Sequence, residues 1–237
     1  MMTLLRERLR SIPEWLLPGT CLLCVARIPS GDDFCGECEA SLPFVDTGCP
    51  QCAALVTLDG PDAYRCGQCQ QRPPVFSRTV ALFRYATPID RLIHDLKYRG
   101  RLETARILGR RFAAFLEARA SGKIDLIVPV PLHRTRLRER GFNQSLELAR
   151  PVAEQLRLPL EYERVQRTRP TAPQTELPQK ARWRNVRGAF LVAGGVAGQR
   201  IAVIDDVMTT GYTANALAEC LRKAGAKDVQ VWVLARA

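Results

Sequence analysis

Apolar side chains alternate with polar ones over residues 78–85 (RTVALFRY), the period of a strand with one buried face. After Pro88 the period changes. Ile89, Leu92, Ile93 and Leu96 lie three and four apart, which predicts a helix that opens at the proline. A second helix is predicted over 102–119, and a buried strand over 124–130 (IDLIVPV). Asn143 has the side chain of an N-cap, and a helix runs from it to about Leu156. Residues 161–167 and 189–193 read as short strands, 200–204 (RIAVI) as a strong one, 213–224 as a helix closed by Gly225, and 229–234 (VQVWVL) as the last strand. Between them, 168–187 is rich in Pro, Thr, Gln and Arg and reads as a long irregular loop; such loops in compact domains often carry function. The alternation of strands and helices predicts an α/β fold, a mostly parallel sheet with helices on both faces. Ligands in such sheets bind at the carboxyl ends of the strands.

The first third of the chain has no such rhythm. Eight of the chain's nine cysteines lie there, in four C-x-x-C pairs, Cys21/Cys24, Cys35/Cys38, Cys49/Cys52 and Cys66/Cys69. Two pairs make one tetrahedral thiolate site, so four make two. Residues 21–72 hold few large apolar side chains and many turn formers, too little apolar surface to offset chain entropy, so a metal must supply stability. Two structural zinc sites are expected; a set of four cysteines also suits an iron–sulfur centre. With cysteine at every ligand position, no open position remains for catalysis. Sequential pairing is the simplest arrangement, and interleaved pairing also satisfies the spacing. The ninth cysteine, Cys220, shares an apolar helix face with Leu217 and Leu221 and is expected to be a buried thiol. The expected division is an N-terminal segment with a double zinc ribbon at 1–76, then an α/β domain at 77–237.

Charge adds a partner class. The 237 residues carry a net +11, but residues 1–78 are at −2 and the remainder at +13. Two segments, 84–140 and 164–187, supply that surplus, mostly as arginine. Arginine-rich surfaces fit phosphate-bearing partners, whether nucleotides, sugar phosphates or nucleic acid; a solvated Arg-rich surface is the plainer alternative. No apolar run reaches the length of a membrane span, and MMTLLRERLR lacks the apolar core of a secretory signal, so a cytoplasmic location is expected.

The segment 201–213 (IAVIDDVMTTGYT) carries the most specific chemistry. An apolar strand ends in Asp205 and Asp206, and a polar loop then leads into a helix. Backbone N–H groups of the loop and helix start can cradle one phosphate, with Gly211 allowing close approach. The acids cannot hold phosphate. They can accept from ribose hydroxyls or hold Mg²⁺ through its water shell. A strand-end acid pair beside a helix cap is the alternative without a ligand. The segment resembles the phosphoribosyl pyrophosphate signature of type I phosphoribosyltransferases. The resemblance implies that Asp205 and Asp206 hold the ribose hydroxyls as the catalytic acids. It implies that Val207, Met208, Thr209, Thr210, Gly211, Tyr212 and Thr213 bind phosphoribosyl pyrophosphate with Mg²⁺, Met208 through Thr213 wrapping the 5-phosphate.

The motif VPVPLHRTRLRERGFNQS at 128–145, the four C-x-x-C pairs, HDLKYRG at 94–100, the stretch from Thr171 to Asn185 and the terminal LAR are together similar to the ComF family. Those proteins join a zinc ribbon to a phosphoribosyltransferase-like domain and are associated with DNA uptake in natural transformation. By that resemblance, Pro131, Leu132 and His133 stand at the pyrophosphate loop, although Pro129 and Pro131 remove two N–H donors from it. Lys97 and Arg140 flank the same group. His133 and Lys97 each have a plainer reading, as a loop residue and a surface lysine. If residues 134–140 are extended, Arg134, Arg136, Arg138 and Arg140 share one face, a row that suits pyrophosphate or a nucleic-acid backbone. With Arg182 and Arg184 of the long loop, the first three are the expected single-stranded-DNA contacts, Phe142 and Trp183 offering stacking. Three functions stay open: an Mg²⁺-dependent phosphoribosyltransferase of unknown acceptor, a DNA-binding protein that keeps the pocket, and a ribbon scaffold that recruits uptake or helicase proteins.

Overall fold

Four strands rich in Val, Ile and Leu form the centre, as burial on both faces requires. The computed structural model describes residues 19–55, 65–119, 122–170 and 186–237. The chain divides into two compact units, Met1–Leu42 and Pro43–Ala237. In the first, strands β1 (Gly19–Thr20) and β2 (Arg27–Ile28) pair antiparallel around the Cys21–Cys24 turn, and a short helix, α1 (Gly36–Ala40), starts at Cys35. The second unit opens with the same local design: the Cys49–Cys52 turn, then a helix, α2 (Gly67–Gln71), starting at Cys66. The repeat is close. Val25 and Ala53 both adopt left-handed φ, +62° and +53°, and the N–H groups of Cys21 and Cys49 each bond a carbonyl five residues on at 2.8 Å.

The sheet of the second unit comprises β3 (Arg78–Arg84), β4 (Leu126–Pro129), β7 (Arg200–Met208) and β8 (Asp228–Arg236) in the order β3-β8-β7-β4, every neighbour parallel. Helices α3 (Ile89–Arg99), α4 (Leu102–Arg119), α5 (Arg134–Arg140), α6 (Gln144–Leu156) and α7 (Tyr212–Lys223) connect the strands. Side chains alternate as the pleat demands. Ile201, Val203, Val231 and Val233 meet Leu217 and Leu221 of α7 on one face. Helices α4 and α6 pack on each other and over the opposite face, where Ile127, Ile204 and Trp232 are buried. Gly109 of α4 lets α6 approach: a Cβ there would collide with Pro151. A small antiparallel ribbon, β5 (Val165–Arg167) with β6 (Phe190–Val192), stands apart from the sheet.

Several expected elements change. The arginine row is not extended: residues 134–140 form α5, because His133 caps its first turn and Gly141, with φ +83°, ends it. The strand expected to stop at residue 204 continues through both acids to Met208, held by β8 as far as Arg236. The strand expected at 161–167 shrinks to three residues. Cys220 is partly rather than fully buried, its thiol 3.4 Å from the Phe190 carbonyl. Among the described residues, no helix is long and apolar enough to cross a membrane.

Candidate functional site

Strand β7 delivers Asp205 and Asp206 to the carboxyl end of the sheet, and the turn after it starts α7. Gly211 caps that helix with φ +76°, and a Cβ there would touch Met208 and approach Phe76. The turn therefore favours glycine for its left-handed backbone. Around it opens a pocket of about 360 Å³, lined by the whole run from Asp205 to Ala214. Thr209 to Thr213 keep partial exposure there, at the positive end of α7.

The acids are held by different partners. Lys97 of α3 places Nζ 2.6 Å from Asp206 Oδ2, and the Asp206 side chain is 5% exposed. Burial works against the Lys97 ammonium, but the Asp206 carboxylate, with Asp205 behind it, outweighs this and raises its pKa. Asp205 opens partly to the pocket but is enclosed on its other sides. Ser145 Oγ donates to its Oδ1 at 2.8 Å, and the Asp206 N–H donates to the same oxygen at 2.9 Å. Loss of hydration, then the neighbouring Asp206 charge, pushes Asp205 up to about 7, against the pull of those donors and Lys97. Arg140 and Arg167 complete the wall; burial lowers the pKa of each, opposed by Asp206 for Arg140 and Asp205 for Arg167.

The structure brings together most of the residues expected at the pocket. Val207 to Thr213, Lys97, Leu132, His133 and Arg140 all line it, while Pro131 is buried and does not. His133 turns its Nδ1 to the start of α5, accepting from the Thr135 N–H at 3.3 Å. On that helix, positions two apart point about 200° apart. Arg136 and Arg140 therefore reach the pocket, and Arg134 and Arg138 stand exposed outside it. Arg182, Arg184 and Trp183 lie outside the described residues. The sequence assigned no pocket role to Ser145, Tyr85, Tyr98 or Arg167, which also shape the pocket. Each comes from a different element, and only folding collects them. Tyr98 lies within the HDLKYRG run and Ser145 ends the 128–145 motif, the local signals available.

The cysteines form two sets, Cys21/Cys24/Cys35/Cys38 and Cys49/Cys52/Cys66/Cys69, with all four Sγ atoms of each within 4.8 Å of one another. Pairing is therefore sequential. Zinc about 2.3 Å from each sulfur sets sulfur–sulfur edges of about 3.8 Å. Cys24–Cys35 at 3.7 Å and Cys52–Cys66 at 3.5 Å fit that tetrahedron. Burial opposes the thiolates of Cys21 and Cys49, yet backbone N–H groups of the turns bring them down to about 6 and about 7. Each set thus has one thiol that ionises first, the form a divalent ion binds.

A parallel sheet with an acid pair and a glycine-started turn into a helix at its carboxyl edge has the architecture of a phosphoribosyltransferase-type domain. Comparison agrees: the phosphoribosyl transferase domain family matches residues 105–237, and the double zinc ribbon family matches residues 12–70. The DNA utilization protein YhgH of Escherichia coli (strain K12) is 42% identical over 175 residues, 72% of this chain and 77% of that protein. Competence protein F of Haemophilus influenzae is 34% identical over 182 residues, 74% and 80% of the two chains. Competence protein ComFC of Streptococcus pneumoniae is 29% identical over 175 residues, 73% and 75%. With zinc ribbon and transferase-type domain in this order, the chain belongs to the ComF family of competence and DNA-utilization proteins.

Proposed function

We propose that the pocket binds phosphoribosyl pyrophosphate with Mg²⁺, and that the basic surface beside it binds single-stranded DNA in DNA uptake or utilization. The observation that carries the pocket reading is the cradle from Met208 to Thr213 set beside two acids and Lys97. Thr209 to Thr213 and the α7 N-terminus receive the 5-phosphate. Asp205 and Asp206 accept from the ribose hydroxyls. Lys97, Arg136 and Arg140 face the pyrophosphate, with Leu132 and His133 beside them. The donor set fits Mg²⁺ carried on the pyrophosphate through water: Lys97 already neutralises Asp206, so the acids do not form a bare cation cage. The metal would balance the pyrophosphate charge.

Arg134 and Arg138, exposed beside the pocket, support the DNA reading, to which the sequence adds Arg182 and Arg184. Uptake or helicase proteins are the natural partners in this setting, on the cytoplasmic side. Release of pyrophosphate on incubation with nucleobases or DNA separates an enzyme from a binding module.

Titration calorimetry with phosphoribosyl pyrophosphate and Mg²⁺ tests the pocket. Binding is expected in the native protein and loss of at least tenfold in affinity in Asp205→Ala/Asp206→Ala; no heat, or an unchanged affinity in the variant, refutes it. For DNA, affinity for a single-stranded oligonucleotide should fall steeply with salt. A salt-independent affinity would speak against phosphate contacts.

A further inference from the structure

The terminal Leu234-Ala235-Arg236 run takes no part in the pocket. Yet among the described residues only Asp206 and Arg236 are both charged and buried, and Arg236 is 6% exposed. Its guanidinium joins two places. Nε donates to the carbonyl of Cys52, a ligand residue of the second four-cysteine set, at 2.9 Å. Nη1 donates to the carbonyl of Met208, where the phosphate cradle begins, at 3.0 Å. The N–H of Ala237 donates to the same Met208 carbonyl at 3.0 Å.

A second connection follows the chain that leaves the cysteine set. Gln51, inside the Cys49–Cys52 turn, donates Nε2 to the carbonyls of Pro74 at 3.3 Å and Phe76 at 3.2 Å. Between them, the Val75 N–H donates to Asn215 Oδ1 at 2.7 Å. Asn215 lies in the first turn of α7 and bonds the Gly211 carbonyl through its own N–H at 2.8 Å. Both ends of the cradle are thus tied to the turn that carries Cys49 and Cys52. Four thiolates around one Zn²⁺ leave a net charge of about −2, which favours a buried cation beside Cys52. A buried guanidinium is tolerated where fixed acceptors satisfy it, and the metal would fix this one.

We propose that Arg236 is a positioning residue that couples the second zinc site to the phosphate cradle, so that zinc there and phosphoribosyl pyrophosphate in the pocket raise each other's affinity. The proposal rests on the pocket reading above. Thermodynamic linkage makes the effect reciprocal, so it is measurable from the zinc side.

Equilibrium competition for zinc between the loaded full-length protein and a chromophoric chelator is the test, run with and without phosphoribosyl pyrophosphate and Mg²⁺. Saturating ligand is expected to raise the affinity for one of the two zinc ions by about fivefold or more and to leave the other unchanged. In Arg236→Gln the zinc affinity no longer responds to the ligand, and calorimetry shows binding about tenfold weaker. Arg236→Lys keeps the charge but not the two-sided fork, and recovers part of both effects. A merely structural arginine would lower thermal stability and leave the zinc response intact. The native protein alone decides the matter if a variant misfolds. Ligand binding with no change in either zinc affinity overturns the coupling and leaves the pocket reading standing. No ligand binding at all overturns both.

Discussion

Asp205 and Asp206 share one strand end and one low-hydration site, yet only Asp206 has a lysine on it. The cost falls on Asp205, whose pKa rises from 3.8 to about 7. The folded chain therefore holds that proton more tightly than the unfolded chain. Its stabilising contribution is complete below about pH 4 and is lost as pH rises through about 7. Asp205→Asn keeps the acceptor for Ser145 and the Asp206 N–H but removes the charge. Thermal unfolding should show it more stable than the native protein at pH 8, by on the order of 1 kcal/mol or ~2–4 °C. At pH 5 that gain should vanish, because native Asp205 is then neutral too. Ligand affinity should behave oppositely. It should rise from pH 6 to 8 in the native protein, as Asp205 ionises, and stay low and flat in the variant. A site strained for binding at the expense of stability is a common arrangement.

At the scale of elements, α5 sorts four arginines that the sequence presents as one row. Had 134–140 been a strand, all four would face one ligand. A helix turns Arg136 and Arg140 into the pocket and leaves Arg134 and Arg138 exposed beside it. Two separable effects are expected. Arg136→Ala or Arg140→Ala should weaken phosphoribosyl pyrophosphate binding by at least fivefold in calorimetry. Arg134→Ala and Arg138→Ala should leave that affinity alone and each lower the salt slope of single-stranded-DNA binding by about 1, read by fluorescence anisotropy. Loss of both activities in all four variants would contradict the assignment of faces.

At the scale of the whole molecule, the two metal sites are alike in local design and unlike in setting. In the first set Cys24 is exposed, and Cys35 and Cys38 are partly so. In the second, Cys49, Cys52 and Cys69 are buried and belong to the same apolar cluster as Phe76, Val203 and Leu217. Stepwise chelation should therefore have two consequences. Loss of the first zinc should leave the cooperative melting of the sheet unit unchanged. Loss of the second should lower its melting temperature by several degrees, since the core loses the metal that orders one of its walls. Calorimetric melting at graded chelator concentrations checks this, and an unaltered sheet transition in fully zinc-free protein would show the second set to be peripheral.

The strands, most helices and the cradle were legible in the chain because their signals are local: period two, period 3.6, a glycine at a left-handed turn, and C-x-x-C spacing. Short range explains the errors as well. Nothing between residues 134 and 140 shows periodicity over more than two turns, and α5 depends on caps at His133 and Gly141. By itself the sequence determined that two thiolate metal sites precede a parallel sheet, and that an apolar strand leads through an acid pair into a glycine-bearing turn before a helix. Only the tertiary structure decided which cysteines share an ion, which arginines see the pocket, that Ser145 and Lys97 divide the two acids, and that Arg236 reaches from Cys52 to Met208. Those contacts join residues as far apart as 184 positions. Local patterning carries no information about such partners; close packing around the sheet does.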